Sequence, residues 1–329
     1  MIRFCVIGTN WITESFIAAA SQIPDFELSA VYSRTEEQAR KFAEKYEVQT
    51  TYTDLQEMAH SSFIDAVYIA SPNSLHAEQA ILLMNHGKHI ICEKPAASNT
   101  REWKQMVDTA KRNRVVLMEA LKTTLLPNFN VIKENLAKIG TVRRYVANYC
   151  QYSSRYDAYK AGTVLNAFNP AFSNGALMDI GVYCLYPLVV LFGRPLEMKA
   201  TALLLDSGVD GEGSILLKYD DKEAVVSYSK ITNSSIPSEI QGEEGSILIH
   251  NLNQLEKIEL HYKNGTVEDL TQQQEDNTMY YEAKEFIDLI KTNRLESSIN
   301  SHAHSMLTLE IMDEARKQIG LVFPNDLKS

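Results

Sequence analysis

The chain has 329 residues, of which 45% are hydrophobic and 22% charged, and its formal net charge is −10 at pH 7 with histidine neutral. That length exceeds the roughly 100 to 200 residues of one domain, so two domains and a sizeable core are expected. The acidic balance excludes broad electrostatic capture of nucleic acid or anionic membrane and favours a small-molecule partner, with room for a local basic pocket that holds one phosphate.

Residues 1–120 alternate short apolar runs with helical patterns, the grammar of β-α-β units around a parallel sheet. Strands are expected at residues 2–7, 27–33, 66–70, 89–92 and 115–119. Ile12, Phe16, Ala19 and Ile23 recur at near-helical spacing, and Thr35 with Gln38 and Asn99 with Glu102 have the form of capping boxes. The first half thus reads as a doubly wound nucleotide-binding domain. After about residue 120 the alternation stops. A helix around 128–138 precedes strands at 213–219 and 223–229, joined as a hairpin, and further strands at 239–243 and 246–250. Two amphipathic helices, near 280–291 and 301–319, close the chain. Residues 121–329 therefore read as an α+β domain on an antiparallel or mixed sheet.

The four cysteines, Cys5, Cys92, Cys150 and Cys184, form no C-x-x-C pair, so reduced thiols are read rather than a zinc site or a disulfide framework. His302 and His304 lack a third ligand, which favours capping or surface roles over metal binding. The opening residues run straight into a strand, and no apolar run is expected to reach the roughly eighteen residues of a membrane span. A cytoplasmic protein is the expectation.

After the first strand comes Gly8-Thr9-Asn10-Trp11-Ile12-Thr13, where a dinucleotide fingerprint would read G-x-G-x-x-G. Gly8 alone is retained. Asn10 can adopt the left-handed conformation that a glycine otherwise supplies, while its side chain and Thr13 would crowd the phosphates or the helix. By itself the motif reads equally well as an ordinary strand–turn–helix. Beyond the second strand, where NAD-selective sites carry an acid for the ribose hydroxyl, stand Ser33 and Arg34. A guanidinium there suits a 2′-phosphate, so NADP(H) is favoured, with NAD(H) possible; the plain alternative is a solvated loop cation. The third strand ends in Ser71-Pro72-Asn73 followed by His76. This polar turn lies where dinucleotides bind, and Asn73 can reach a ribose or phosphate; the plain alternative, that these residues cap the next helix, suits His76 better than Asn73.

Glu93-Lys94-Pro95 closes the strand expected at residues 89–92. A lysine at the C-terminal end of a strand in such a domain stands where an acid/base group belongs. Its ordinary pKa of about 10.4 is high for a base near neutrality; burial and a cationic nicotinamide would lower it, and a carboxylate from Glu93 or Asp179 would oppose that. Downstream, Asp179 could orient Lys94 or bind a substrate hydroxyl, and Tyr183 could donate to the substrate oxygen. Gly181 would leave room for ligand. Val182, Cys184, Leu185 and residues 188–191 are apolar, so Tyr183 could instead be a core residue with a wet tip. Tyr152, Tyr156 and Tyr159 form a group that could line a substrate pocket.

With these segments in order, the chain resembles the glucose–fructose oxidoreductase, inositol dehydrogenase and MocA-like (Gfo/Idh/MocA) family of NAD(P)-dependent oxidoreductases. The resemblance runs from Gly8 and Ile12 through Ser33-Arg34, Ser71-Pro72-Asn73, His76 and Glu93-Lys94-Pro95. It continues to the stretch from Gly175 through Asp179 and Gly181 to Tyr183, and to Gly242-Glu243-Glu244-Gly245-Ser246. It implies a Rossmann domain, residues 1–120, that holds the cofactor through Gly8, Asn10, Trp11, Ile12, Ser33, Arg34, Ser71, Pro72, Asn73, His76, Glu93 and Lys94. It implies a second domain, residues 121–329, with a large open, mainly antiparallel sheet used for substrate binding and for homo-oligomers, dimeric or tetrameric. Lys94 is implied beside the nicotinamide and the substrate oxygen, with Asp179 and Tyr183 as catalytic partners. Many relatives carry D-x-G-x-H-x-x-D; here Tyr183 replaces the histidine and Tyr186 the last acid. Tyrosine, with Glu119-Ala120 and Pro127, is similar to the branch containing glucose–fructose oxidoreductase, xylose dehydrogenase and dimeric dihydrodiol dehydrogenase. Thr123, Thr124 and Leu125 depart from the aromatic and basic residues of that branch.

The expected function is hydride transfer between a nicotinamide cofactor and a sugar, polyol or related cyclic alcohol or carbonyl. Two alternatives stand beside it: NAD-dependent glycoside hydrolysis, which this family also contains, and a non-catalytic dinucleotide sensor. No metal, nucleic acid or membrane partner is expected.

Overall fold

In the computed structural model, which describes residues 1–328, the chain divides into two compact units. The first holds Met1–Lys122 with Glu275–His302, and the second holds Thr123–Gln274 with the residues from Ala303 on. The first begins as β1 (Ile2–Ile7), α1 (Trp11–Ala20), β2 (Phe26–Tyr32), α2 (Glu36–Lys45), β3 (Thr50–Tyr52), α3 (Leu55–His60), β4 (Ala66–Ile69), α4 (Asn73–Asn85), β5 (His89–Glu93), α5 (Thr100–Asn113) and β6 (Leu117–Ala120). Its six strands form one parallel sheet in the order β3-β2-β1-β4-β5-β6. The direction of winding reverses between β1 and β4, the switch point where ligands of such sheets bind. Strands covered on both faces must be apolar throughout, and β4 is buried at every residue and β1 at all but Arg3. Thr35 and Asn99 open α2 and α5 as expected, their side chains accepting from the backbone N–H of Gln38 and Glu102. β3 and α3 are too short to carry a periodic signal.

The second unit contains α6 (Pro127–Asn135), β7 (Val142–Cys150), α7 (Tyr156–Lys160), α8 (Val182–Phe192), β8 (Glu197–Leu204), β9 (Asp210–Lys218), β10 (Glu223–Ser229), β11 (Ser238–Gly242), β12 (Gly245–His250), β13 (Lys257–Tyr262) and β14 (Val267–Asp269). These strands form an eight-stranded sheet in the order β14-β13-β12-β11-β7-β10-β9-β8. All its pairs are antiparallel except β7 with β10. Ala224, Val226 and Tyr228 are buried at alternate positions of β10, the mark of a sheet with one covered face. α8 packs on β7 and β10, and the Tyr145 hydroxyl donates to the Cys184 carbonyl at 3.0 Å.

The helical stretch Pro170–Phe192 corrects the expectation that no apolar run reaches membrane length: its 23 residues are long and apolar enough to cross a bilayer. However, 72% of its apolar window is buried inside the protein, which is how the core helix of a folded domain passes the same test.

A boundary near residue 120 assigns the whole remaining chain to the second domain, but Glu275–His302 returns to the first unit. The return is driven by α9 (Met279–Lys291), which buries Met279, Ala283, Phe286, Ile287 and Leu289 along one face. Phe286 meets Phe4 at 5.8 Å between ring centroids, and Phe4 meets Phe26 at 4.9 Å. Burying one such ring stabilises the fold by about 2 to 3 kcal/mol. Asn277 adds a bond from its amide to the Ser15 carbonyl at 2.8 Å. The last helix, α10 (His302–Ile319), belongs to the second unit beyond its first residue.

Candidate active site

The turn after β1 is built on Gly8. Its φ is +106°, and a Cβ there would lie 2.6 Å from the Ala70 carbonyl oxygen, so no other residue fits without displacing backbone. Asn10 does not take the left-handed conformation expected of it. Its φ is −108° with ψ 177°, because its side-chain oxygen caps α1, accepting from Ile12 N at 3.0 Å and Thr13 N at 3.4 Å. Thr13 is fully buried, so the third-glycine position packs inward against the sheet. Trp11 is exposed and Ile12 half-buried beside it.

At the end of β2, Ser33 is buried and donates to Gln38 Oε1 at 3.3 Å, while Arg34 is exposed. After β4, the Ser71 hydroxyl donates to Gln79 Oε1 at 2.7 Å, Pro72 precedes α4 and Asn73 is its first residue. His76 is buried and does not cap the helix. Its Nε2 lies 2.8 Å from the Ser71 carbonyl oxygen and its Nδ1 3.1 Å from that of Pro95, which ties the β4–α4 turn to the Glu93-Lys94-Pro95 segment. Burial pushes the His76 pKa down to about 4, against the pull of the two carbonyls and with a smaller push from Lys94.

Lys94 follows β5, half-buried, and the Lys94–Pro95 peptide is cis. Its neighbour Glu93 is buried and accepts from the Tyr68 hydroxyl at 2.5 Å. Burial raises the Glu93 carboxyl above its usual range, and Lys94, the Tyr68 bond and Lys122 pull it back. Glu282 of α9 is fully buried, and its Oε2 has no hydrogen-bond partner among the described residues. Burial first and Glu93 second hold its pKa well above the carboxylate range. Lys122 is lowered by burial, against the attraction of Glu282 and Glu93. Lys94 is therefore electrostatically linked to two buried acids and a second lysine. Sequence reasoning found Glu93 but missed Tyr68, Lys122 and Glu282. A glutamate on the buried stripe of α9 was the signal that could have found the last of these.

In the second unit, a π-helical turn, Leu177–Gly181, leads into α8 and carries Asp179. Such one-turn insertions recur at functional sites. Asp210 of β9 anchors the turn: its Oδ2 accepts from Leu177 N at 2.7 Å, and burial raises its pKa to about 6. Gly175 is required here, since its φ is +152° and a Cβ would fall 2.1 Å from Asp210 Oδ1. Asp179 pairs with Lys230 at 2.7 Å; the lysine is 2% exposed and the aspartate 36%. Tyr183 is half-buried with its ring edge-on to Tyr149 at 5.6 Å, unlike Tyr186, which is fully buried with its hydroxyl 3.0 Å from Ser305 Oγ. The room expected at Gly181 is taken by protein: a Cβ there would meet the Tyr228 ring at 3.3 Å and Leu177 at 2.9 Å. Tyr156 and Tyr159 pack on Phe168, at 5.6 and 5.4 Å, and Tyr152 on Tyr156 at 5.5 Å.

Residues 2–121 match the model of the Gfo/Idh/MocA oxidoreductases with an NAD-binding Rossmann fold, and residues 132–248 match the C-terminal domain of the same family. The chain belongs to the Gfo/Idh/MocA oxidoreductase family. It is 58% identical over 326 residues to the scyllo-inositol 2-dehydrogenase (NADP(+)) IolU of Bacillus subtilis, covering 99% of both chains. It is 30% identical over 350 residues to the trans-1,2-dihydrobenzene-1,2-diol dehydrogenase of Danio rerio, again over 99% of each. Among solved structures, a levoglucosan dehydrogenase in complex with NADH and levoglucosan superposes with a TM-score of 0.86, covering 97% of both chains at 21% identity, a likeness of fold. The 3-ketoreductase KijD10 of Actinomadura kijaniata, with NADP and TDP-benzene, gives 0.86 at 20% identity, covering 97% of this chain and 98% of that one.

A family with an NAD-binding Rossmann fold requires a dinucleotide cradle, and the first unit's residues fit one. The positive φ and missing Cβ of Gly8 let the backbone approach a ligand closely, α1 starts directly beyond it, and the exposed Arg34 guanidinium stands after β2.

Proposed function

We propose that the protein is an NADP(H)-preferring dehydrogenase that interconverts a cyclic polyol of the inositol class and its ketone. The observation that carries the chemistry is Lys94, a half-buried lysine at the end of β5 linked to the buried charges of Glu93, Lys122 and Glu282. The substrate class and cofactor preference draw support from the end-to-end likeness to a scyllo-inositol 2-dehydrogenase (NADP(+)) and from the exposed Arg34.

Oxidising a secondary alcohol removes a hydride from carbon and a proton from oxygen. When bound, the nicotinamide supplies the hydride acceptor, or the donor in reverse. Lys94 takes the hydroxyl proton and returns it in the reverse direction. Asp179, ionised and acceptor-only, receives hydrogen bonds from substrate hydroxyls, and Tyr183 donates to the reacting oxygen. Gly8, Asn10, Trp11, Ile12, Ser33, Arg34, Ser71, Pro72, Asn73, His76 and Glu93 form the cofactor's surroundings in this reading. The first unit binds the dinucleotide, and the second supplies the substrate groups and the surface for a dimer or tetramer. Exposed Leu203, Leu204 and Leu216 on β8 and β9 support that last role. Four free thiols accord with a reducing cytoplasm.

The test is the appearance of NADPH absorbance when the full-length protein meets NADP⁺ and scyllo-inositol. Lys94→Ala is expected to lower kcat by roughly 10² to 10⁴-fold with NADPH affinity largely retained. Net NADPH also separates this reading from internal-redox glycoside hydrolysis. No NADPH with any inositol sinks the substrate class, and undiminished turnover by Lys94→Ala sinks the proton role.

A further inference from the structure

Lys230 follows β10 and is almost completely enclosed at 2% exposure. Lysine is rarely buried so fully unless its charge is paired, because desolvating an ammonium costs several kcal/mol. Its Nζ lies 2.7 Å from Asp179 Oδ2, donates to the Ala167 carbonyl at 3.2 Å, and sits 5.1 Å from the centre of the Phe168 ring. Phe168 is itself fully buried and wedged by Tyr156 and Tyr159. The backbone at Lys230 is fixed on both sides: its N–H donates to the Gly211 carbonyl at 2.9 Å, and its carbonyl accepts from Ser153 N at 2.8 Å.

The pair is asymmetric. The lysine is sealed, while Asp179 keeps about a third of its side-chain surface open. An enclosed cation of this kind fixes the orientation of a carboxylate that still faces outward. A carboxylate so held accepts hydrogen bonds and donates none, which matches a ligand rich in hydroxyl donors.

We infer that Lys230 is a positioning residue for polyol recognition, locking the Asp179 carboxylate in the pose that receives substrate hydroxyls. The inference rests on the proposed role of Asp179 toward substrate. The tyrosine group then acts indirectly, since Tyr156 and Tyr159 seat Phe168, and Phe168 covers the ammonium.

The experiment compares full-length wild type with Lys230→Met, Lys230→Arg, Asp179→Asn and the Lys230→Met/Asp179→Asn double variant, using scyllo-inositol as the varied substrate and NADPH binding as a separate readout. Lys230→Met is expected to raise KM for scyllo-inositol roughly tenfold or more, with the larger effect on KM than on kcat and with NADPH Kd within about twofold of wild type. Lys230→Arg, which keeps the charge, recovers part of the loss. The double variant is no worse than Asp179→Asn alone, and it also removes the orphaned charge that could unfold the single lysine variant. A wild-type KM in Lys230→Met, or effects that multiply in the double variant, overturns the inference while leaving the polyol reading intact. A wild-type KM in Asp179→Asn overturns the inference together with the proposed role of Asp179, and a wild-type protein that oxidises no polyol overturns the polyol reading as well.

Discussion

The Tyr68 hydroxyl donates to Glu93 Oε1 at 2.5 Å, joining neighbouring strands β4 and β5 immediately before Lys94. Burial raises the Glu93 carboxyl, and Lys94, the Tyr68 bond and Lys122 pull it back. Glu282 also feels the pull of Lys122 and Lys94, but its Oε2 is unpartnered among the described residues, and burial first and the repulsion of Glu93 second outweigh that pull. Both acids are raised, Glu282 the more strongly of the two. An acid whose folded pKa is raised contributes most stability below its unfolded value of about 4.3 and loses that contribution as pH rises toward the folded value. Glu282→Gln preserves the shape and removes the titration. Its stability relative to wild type is expected to improve as pH rises above about 5 in urea melts. A difference that stays flat with pH would show that Glu282 is not held protonated.

His76 carries the opposite sign. Two backbone carbonyls face its ring nitrogens, an arrangement that would favour imidazolium, yet burial prevails and lowers its pKa from 6.5 to about 4. The stability it contributes is fully present above about pH 6.5 and drains as pH falls toward about 4, by about 3 kcal/mol in all. Replacing it by glutamine should lower stability at neutral pH and remove this acid-side slope. Should the carbonyls prevail instead, wild type would gain stability relative to His76→Gln on acidification, and melts at about pH 7 and about pH 5 tell the two apart.

The doubly wound half was legible because its signals are local: buried strands read as apolar runs, and Thr35 and Asn99 mark helix starts by residue type. Lys94 could be located because it closes one of those strands. Asn10 departs from its expected conformation because two local roles compete for it, and capping α1 demands extended backbone. The supporting groups were hidden for a different reason. Tyr68 reaches Glu93 across 25 positions, Lys230 meets Asp179 from the end of β10, and Tyr228 fills the slot beside Gly181. No periodicity in the chain encodes such pairings, which exist only once the sheets have formed. Glu282 is the exception, since a charge on the apolar stripe of α9 is visible in the sequence itself.

Arg34 decides the cofactor preference in the proposed reading. Ser33 beside it is buried and engaged with Gln38, so the exposed guanidinium is the group after β2 able to meet a 2′-phosphate. Charge-assisted hydrogen bonds of this kind contribute about 1.5 to 3 kcal/mol, which corresponds to roughly a 10- to 100-fold change in Kd. Arg34→Ala is therefore expected to weaken NADPH by about that factor and leave NADH nearly unchanged, as read by titrating nicotinamide fluorescence. The NADPH advantage of wild type should also shrink as salt rises, since an exposed ion pair is screened at a Debye length of about 8 Å under physiological ionic strength. Equal weakening of both cofactors would mean that Arg34 holds a part of the dinucleotide common to the two, and the preference would have to come from elsewhere.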